Sequence, residues 1–187
     1  HVLPGAVDPA RREVIAVMLP ALARDKVEVR EAKPLSVDPG SDLAILKVEG
    51  IALPALKVGD SAGVREGQSV LFTGFPIGPV LGPYPVTHRG MVSAITPIAI
   101  PQARSAELDA HVIRRLSTGS FPVFQLDATA YPGNSGSPVY DPETGDVLAI
   151  VNMVFVKGTK ESVLTQPSGI TYAVPSTHLA DLLQKLR

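Results

Sequence analysis

The residues best suited to chemistry lie in Pro132-Gly133-Asn134-Ser135-Gly136-Ser137-Pro138, a tight turn that holds a serine between two strand candidates. Gly133 and Gly136 let the backbone bend there and let a substrate approach closely. A turn of this kind can aim the amides of Gly133 and Ser135 at one point, as an oxyanion hole requires. The same residue types also make an ordinary polar β-turn. A Gly-x-Ser-x-Gly elbow is excluded, because position 137 is Ser and no alternation of strands and helices surrounds it.

A serine hydroxyl becomes a useful nucleophile only when a base takes its proton and a third group orients that base. There are four histidines. His88 opens a strand candidate, His111 lies in a loop helix and His178 in a terminal helix, and each reads as a surface or capping residue. His1 begins His-Val-Leu-Pro-Gly-Ala. Asp42 stands at the entrance of the aliphatic strand Leu43 to Val48, where an aspartate is ordinarily a turn or cap residue.

The elements that must position these groups are short and aliphatic. Strands are expected at Val14 to Leu19, Lys26 to Arg30, Leu43 to Val48, Ser69 to Gly74 and Gly90 to Ile95. Further strands are expected at Val123 to Leu126, Ser137 to Tyr140, Val147 to Val156 and Gly169 to Val174. Sixteen Gly and eighteen Pro supply turns such as Asp38-Pro39-Gly40, Gly59-Asp60-Ser61, Gly78-Pro79 and Thr144-Gly145-Asp146. Helical periodicity appears twice. It runs from Arg104 to Ser117, and again from Thr177 to Arg187, where Leu179, Leu182, Leu183 and Leu186 form a stripe behind Ser176 as N-cap. The pattern predicts an all-β protein of barrels or a sandwich, with a C-terminal helix.

Composition narrows the function classes. The 187 residues are 45% hydrophobic and 19% charged, with 17 basic and 18 acidic residues spread along the chain. The formal net charge of -1 provides no basic face for phosphates, so a nucleic-acid partner is not expected. No run approaches the roughly 18 to 20 apolar residues of a membrane helix. Zero Cys excludes disulfides and thiolate metal sites.

Taken together, the three segments around His1, Asp42 and Ser135 resemble the trypsin-like peptidase superfamily, and within it the HtrA (Deg) proteases. The histidine segment, the Ser41-Asp42-Leu43-Ala44-Ile45-Leu46-Lys47-Val48 strand and the Gly-Asn-Ser-Gly-Ser-Pro turn follow in the superfamily's order. Phe72 to Gly78, Gly90 to Ala94, Gln125 to Ala128 and Tyr172 to Ser176 extend the likeness over nearly the whole chain.

The resemblance implies two six-stranded antiparallel β-barrels, one from residues 1 to 77 and one from 80 to 174, with a terminal helix over 176 to 187. The family carries strands before its histidine, so the first barrel is expected to be incomplete, and a chain starting at His1 to be a poor enzyme. The implied activity is endopeptidase hydrolysis of unfolded or flexible protein substrates, with no metal and no organic cofactor. Ser135 is the implied nucleophile, His1 the base, Asp42 its orienting partner, and the Gly133 and Ser135 amides the oxyanion hole. The implied substrate pocket is Thr129, Ala130, Val151, Asn152, Met153 and Val154, which holds no carboxylate and so disfavours a basic P1 side chain. A periplasmic or extracytoplasmic location follows from the resemblance alone, and homo-oligomerisation is left open. The alternative is an inactive relative that binds peptides or acts as a chaperone by strand addition.

Overall fold

The computed structural model describes residues 2–3, 13–20, 27–50, 52–76, 84–97, 121–131, 133–152 and 169–186. Its first unit is an open antiparallel sheet of three strands, β1 (Ile15–Pro20), β2 (Val27–Asp38) and β3 (Leu43–Val48), in that spatial order. β2 runs past the expected Arg30 and through Pro34, which lacks an amide hydrogen. The strand tolerates this because only Val27 to Ala32 pair with β1, so that among the described residues Pro34 has no strand neighbour on that side, and it lies next to a register shift against β3. Asp38 closes the following turn: its carboxylate accepts from Gly40 N at 3.0 Å and from Ser41 Oγ at 2.7 Å.

The second unit is a closed barrel of six antiparallel strands: β4 (Ser69–Gly74), β5 (Val86–Pro97), β6 (Pro122–Asp127), β7 (Pro138–Tyr140), β8 (Val147–Asn152) and β9 (Ile170–Pro175). Their order around the barrel is β4, β5, β6, β9, β8, β7. Alternation drives closure: Val70 and Phe72 of β4, Val92 of β5, Phe124 and Leu126 of β6, Val139 of β7 and Val151 of β8 turn inward into one core. Burying Phe72 completely contributes on the order of 2–3 kcal/mol.

The architecture matches the expected all-β chain with one closed six-stranded barrel and a C-terminal helix, and a second closed barrel is not formed by the described residues. One barrel is closed; in place of the other the described residues form the three-stranded sheet, whose outer strands β1 and β3 each have a single strand neighbour. β4 pairs with both β5 and β7, so the closed barrel includes Ser69–Gly74. The expected helix from Arg104 to Ser117 lies outside the described residues.

The terminal helix α1 (Ser176–Gln184) follows β9 directly. Ser176 is not its N-cap. That position is Pro175, and the fully buried Ser176 instead donates its Oγ to Gly59 O at 2.7 Å. Leu179 and Leu182 of α1 join Leu43 and Ile45 of β3 and Ile150 and Val174 of the barrel in a second apolar cluster. This cluster seats the start of β3, and with it Asp42, on the barrel wall.

Candidate active site

Asp42 precedes β3 in a left-handed conformation, φ 56°, which a short polar side chain tolerates better than most. The buried end of β8 lies against it: Asn152 Nδ2 donates to Asp42 Oδ2 at 3.0 Å. Asn152, expected in the pocket lining, therefore turns its amide to the aspartate. The physical cause is the site itself, since a carboxylate at the edge of an apolar cluster needs donors and a buried carboxamide needs acceptors.

The same strand end holds the serine turn. Gly136 N donates to Val151 O at 2.9 Å, and Val151 N donates to Ser137 O at 2.9 Å. The dipeptide Val151-Asn152 thus binds the turn through its backbone and Asp42 through a side chain. Two residues 93 positions apart in sequence, Asp42 and Ser135, are in this way tied to one short piece of strand.

Within the turn, Asn134 N donates to Tyr131 O at 3.0 Å and Ser137 N to Asn134 O at 3.0 Å. Gly133 has φ 100° and Gly136 φ 87°, values that require glycine for an unstrained turn. Beneath the turn, Gly74 makes room. A Cβ there would stand 2.1 Å from Ser137 Oγ and 2.6 Å from Asn134 Oδ1. Asn134 fills that room completely buried, while Ser135 beside it keeps partial exposure.

The remaining pocket residues divide. Thr129 is half-buried, whereas Ala130 and Val151 pack into the barrel core and are 6% and 1% exposed. Thr171 Oγ1 donates to Ala128 O at 2.7 Å, tying β9 to the segment that carries Thr129 and Ala130. His1, His111, Met153 and Val154 lie outside the described residues.

Two histidines depart from their expected surface roles. His178 packs its ring against Phe121, 4.3 Å between centroids. His88 faces inward from β5, stacked on Phe72 at 4.7 Å and 6.4 Å from the Tyr131 ring. Burial holds its pKa below the ordinary imidazole value. Strand alternation was the available signal, since His88, Gly90 and Val92 share a face. No helix among the described residues is long and apolar enough to cross a membrane, and no cluster of His, Asp and Glu there could hold a metal ion.

A closed β-barrel carries the serine turn, and one strand end joins that turn to Asp42. Residues 1–150 match the trypsin-like peptidase domain, and the chain belongs to that family. It is 33% identical, over all of its 187 residues, to a probable periplasmic serine endoprotease DegP-like from Marinomonas sp. (strain MWYL1), covering 32% of that protein. A relative of the same description from Pseudomonas putida (strain GB-1) is 32% identical over 157 residues, 84% of this chain and 27% of the relative. The chain spans about a third of the length of these curated relatives.

Among solved structures, the HtrA-type protease AlgW with tripeptide superposes with a TM-score of 0.62 at 26% identity, over 91% of this chain and 47% of that one. Rv3671c from M. tuberculosis H37Rv, as its inactive Ser343Ala mutant, superposes with a TM-score of 0.58 at 20% identity, a likeness of fold. Within the trypsin-like family the chain is similar to proteins described as DegP-like and as HtrA-type proteases.

Proposed function

We propose that the protein is an HtrA-type serine endopeptidase that cleaves unfolded or flexible proteins through an acyl-enzyme on Ser135. The observation that carries this reading is the double attachment of Val151-Asn152, to Asp42 on one side and to the Ser135 turn on the other. His1 takes the Ser135 proton and returns it to the leaving amine. Asp42 keeps the imidazole in the tautomer that can accept and stabilises its charged form. The Gly133 and Ser135 amides receive the oxyanion.

Thr129, Ala130, Met153 and Val154 surround the P1 side chain in this reading. Their uncharged side chains favour a small or medium aliphatic P1 residue over a basic one. An extracytoplasmic location accords with the relatives described as periplasmic.

The test is Ser135→Ala in the full-length protein, with an unfolded protein as substrate. Turnover should fall on the order of a millionfold while the circular dichroism spectrum stays native. A reactive-serine probe should label the native protein and not the variant. Retention of more than a few per cent of activity overturns the proposal, and a native protein that binds peptides without being labelled points to the inactive, chaperone-like alternative.

A further inference from the structure

Four buried side-chain nitrogen or oxygen atoms lack a hydrogen-bond partner among the described residues: Arg30 Nε, His88 Nε2 on β5, and Asn134 Nδ2 and Oδ1 within the nucleophile turn. Asn134 is wholly buried, and its Oδ1 lies 2.6 Å from where a Gly74 Cβ would stand. Gly74 and Phe72 are two residues apart on β4 and face the same way. His88 is the Cα partner of Phe72 on the neighbouring strand, and its ring lies flat on the phenyl group, 15° between planes. Tyr131 bounds the other side, with its ring near His88 and its carbonyl accepting from Asn134 N. The imidazole and the carboxamide therefore both border the recess between Phe72, Gly74 and Tyr131, although neither donates directly to the other.

Their chemistry is complementary. A neutral imidazole carries one donor and one acceptor nitrogen, and a carboxamide carries both kinds of atom. Unpaired, each buried group destabilises the fold; paired, they cost little. Phe72 orients the ring, and the fully enclosed Asn134 sits next to Ser135 in the chain, so a bond to its side chain fixes the backbone on which Ser135 rides.

We propose that His88 and Asn134 are joined through one bridging water, and that this link holds the nucleophile turn in its productive shape. His88 is thus a positioning residue that acts on Ser135 through Asn134. The role rests on the reading of Ser135 as nucleophile; the pairing does not.

Three measurements on the full-length protein test it. His88→Phe keeps the stack on Phe72 and removes Nε2; labelling of Ser135 by a fluorophosphonate should slow about tenfold or more, with the loss carried by kcat and KM near native. His88→Gln, which returns a polar group to the recess, should regain most of that rate. In urea unfolding, His88→Phe and Asn134→Leu should each lower the folding constant, and the double variant should lose less than the product of the two, because it leaves no orphaned partner.

Native labelling by His88→Phe, or independent effects in the unfolding cycle, overturn the proposal. If the native protein is not labelled at all, the nucleophile assignment has failed, and the unfolding cycle alone decides the pairing. Should a single variant not fold, the 15N resonance of His88 Nε2 in the native protein decides: displacement from the free value of its tautomer supports the bond, and coincidence with it overturns the bond.

Discussion

Gly74→Ala is the smallest change that should move the nucleophile turn. The added methyl would stand 2.1 Å from Ser137 Oγ, 2.6 Å from Asn134 Oδ1 and 3.3 Å from Ser137 Cβ. Comfortable non-bonded contacts begin near 3.5 Å, so the nearest atoms must retreat by roughly 1 Å. Ser137 can relieve its hydroxyl contact by rotating about χ1. Asn134 has no such freedom, being completely enclosed, and its backbone is bonded to Tyr131 O on one side and to Ser137 N on the other. The strain therefore passes to the turn, and Ser135 moves with it.

Overpacking of this kind costs about 1–3 kcal/mol, and in a protein of this size about 2–4 °C of Tm accompany each kcal/mol. A displacement of roughly 1 Å at a catalytic group lowers turnover about a hundredfold. The assay pairs thermal unfolding with hydrolysis of a quenched fluorescent peptide. Gly63→Ala is the control, because nothing lies within 4 Å of its added Cβ, and it should leave both readings near native. Ser137→Gly in the Gly74→Ala background removes two of the three contacts and should restore part of the loss, leaving the share due to Asn134. A Gly74→Ala protein with native Tm and native turnover would refute the packing argument.

Two further outcomes are expected. Asn152→Leu removes the amide that donates to Asp42; a bond to a charged group is worth about 1.5–3 kcal/mol, so kcat should fall roughly 10- to 100-fold with secondary structure unchanged, and native kcat would show that Asn152 does not orient the aspartate. Burial lowers the His88 pKa beneath its ordinary 6.5, so the unfolded chain takes up a proton before the folded one does. Its contribution to stability is complete above pH 6.5 and is lost as pH falls from there through the folded value. Urea midpoints measured from pH 8 to 5 should decline in that window for the native protein and decline less for His88→Phe; equal declines would assign the dependence to other groups.

Local rules sufficed wherever a residue's neighbours in sequence are also its neighbours in space. The strands Leu43 to Val48 and Ser69 to Gly74 appear with the bounds that alternation assigns, and the glycines of the serine turn take the positive φ that such a turn demands. The order of the serine, aspartate and histidine segments, and with it the family, was readable for the same reason, since each segment is a short local pattern.

Tertiary structure decided what depends on partners far along the chain. Pro34 lies within a strand only because β1 ends before reaching it. Ser176 leaves the helix cap because Gly59 O, 117 positions away, offers its hydroxyl a buried acceptor. Asn152 serves Asp42 because barrel closure and the packing of Leu43 against Val174 and Leu182 bring β3 to the end of β8. His88 enters the recess because its opposite residue across the sheet is Phe72. In each case the sequence determines what a side chain can bond to, and the fold determines which long-range partner is present to be bonded, because a buried polar group takes whichever complement closure places within reach.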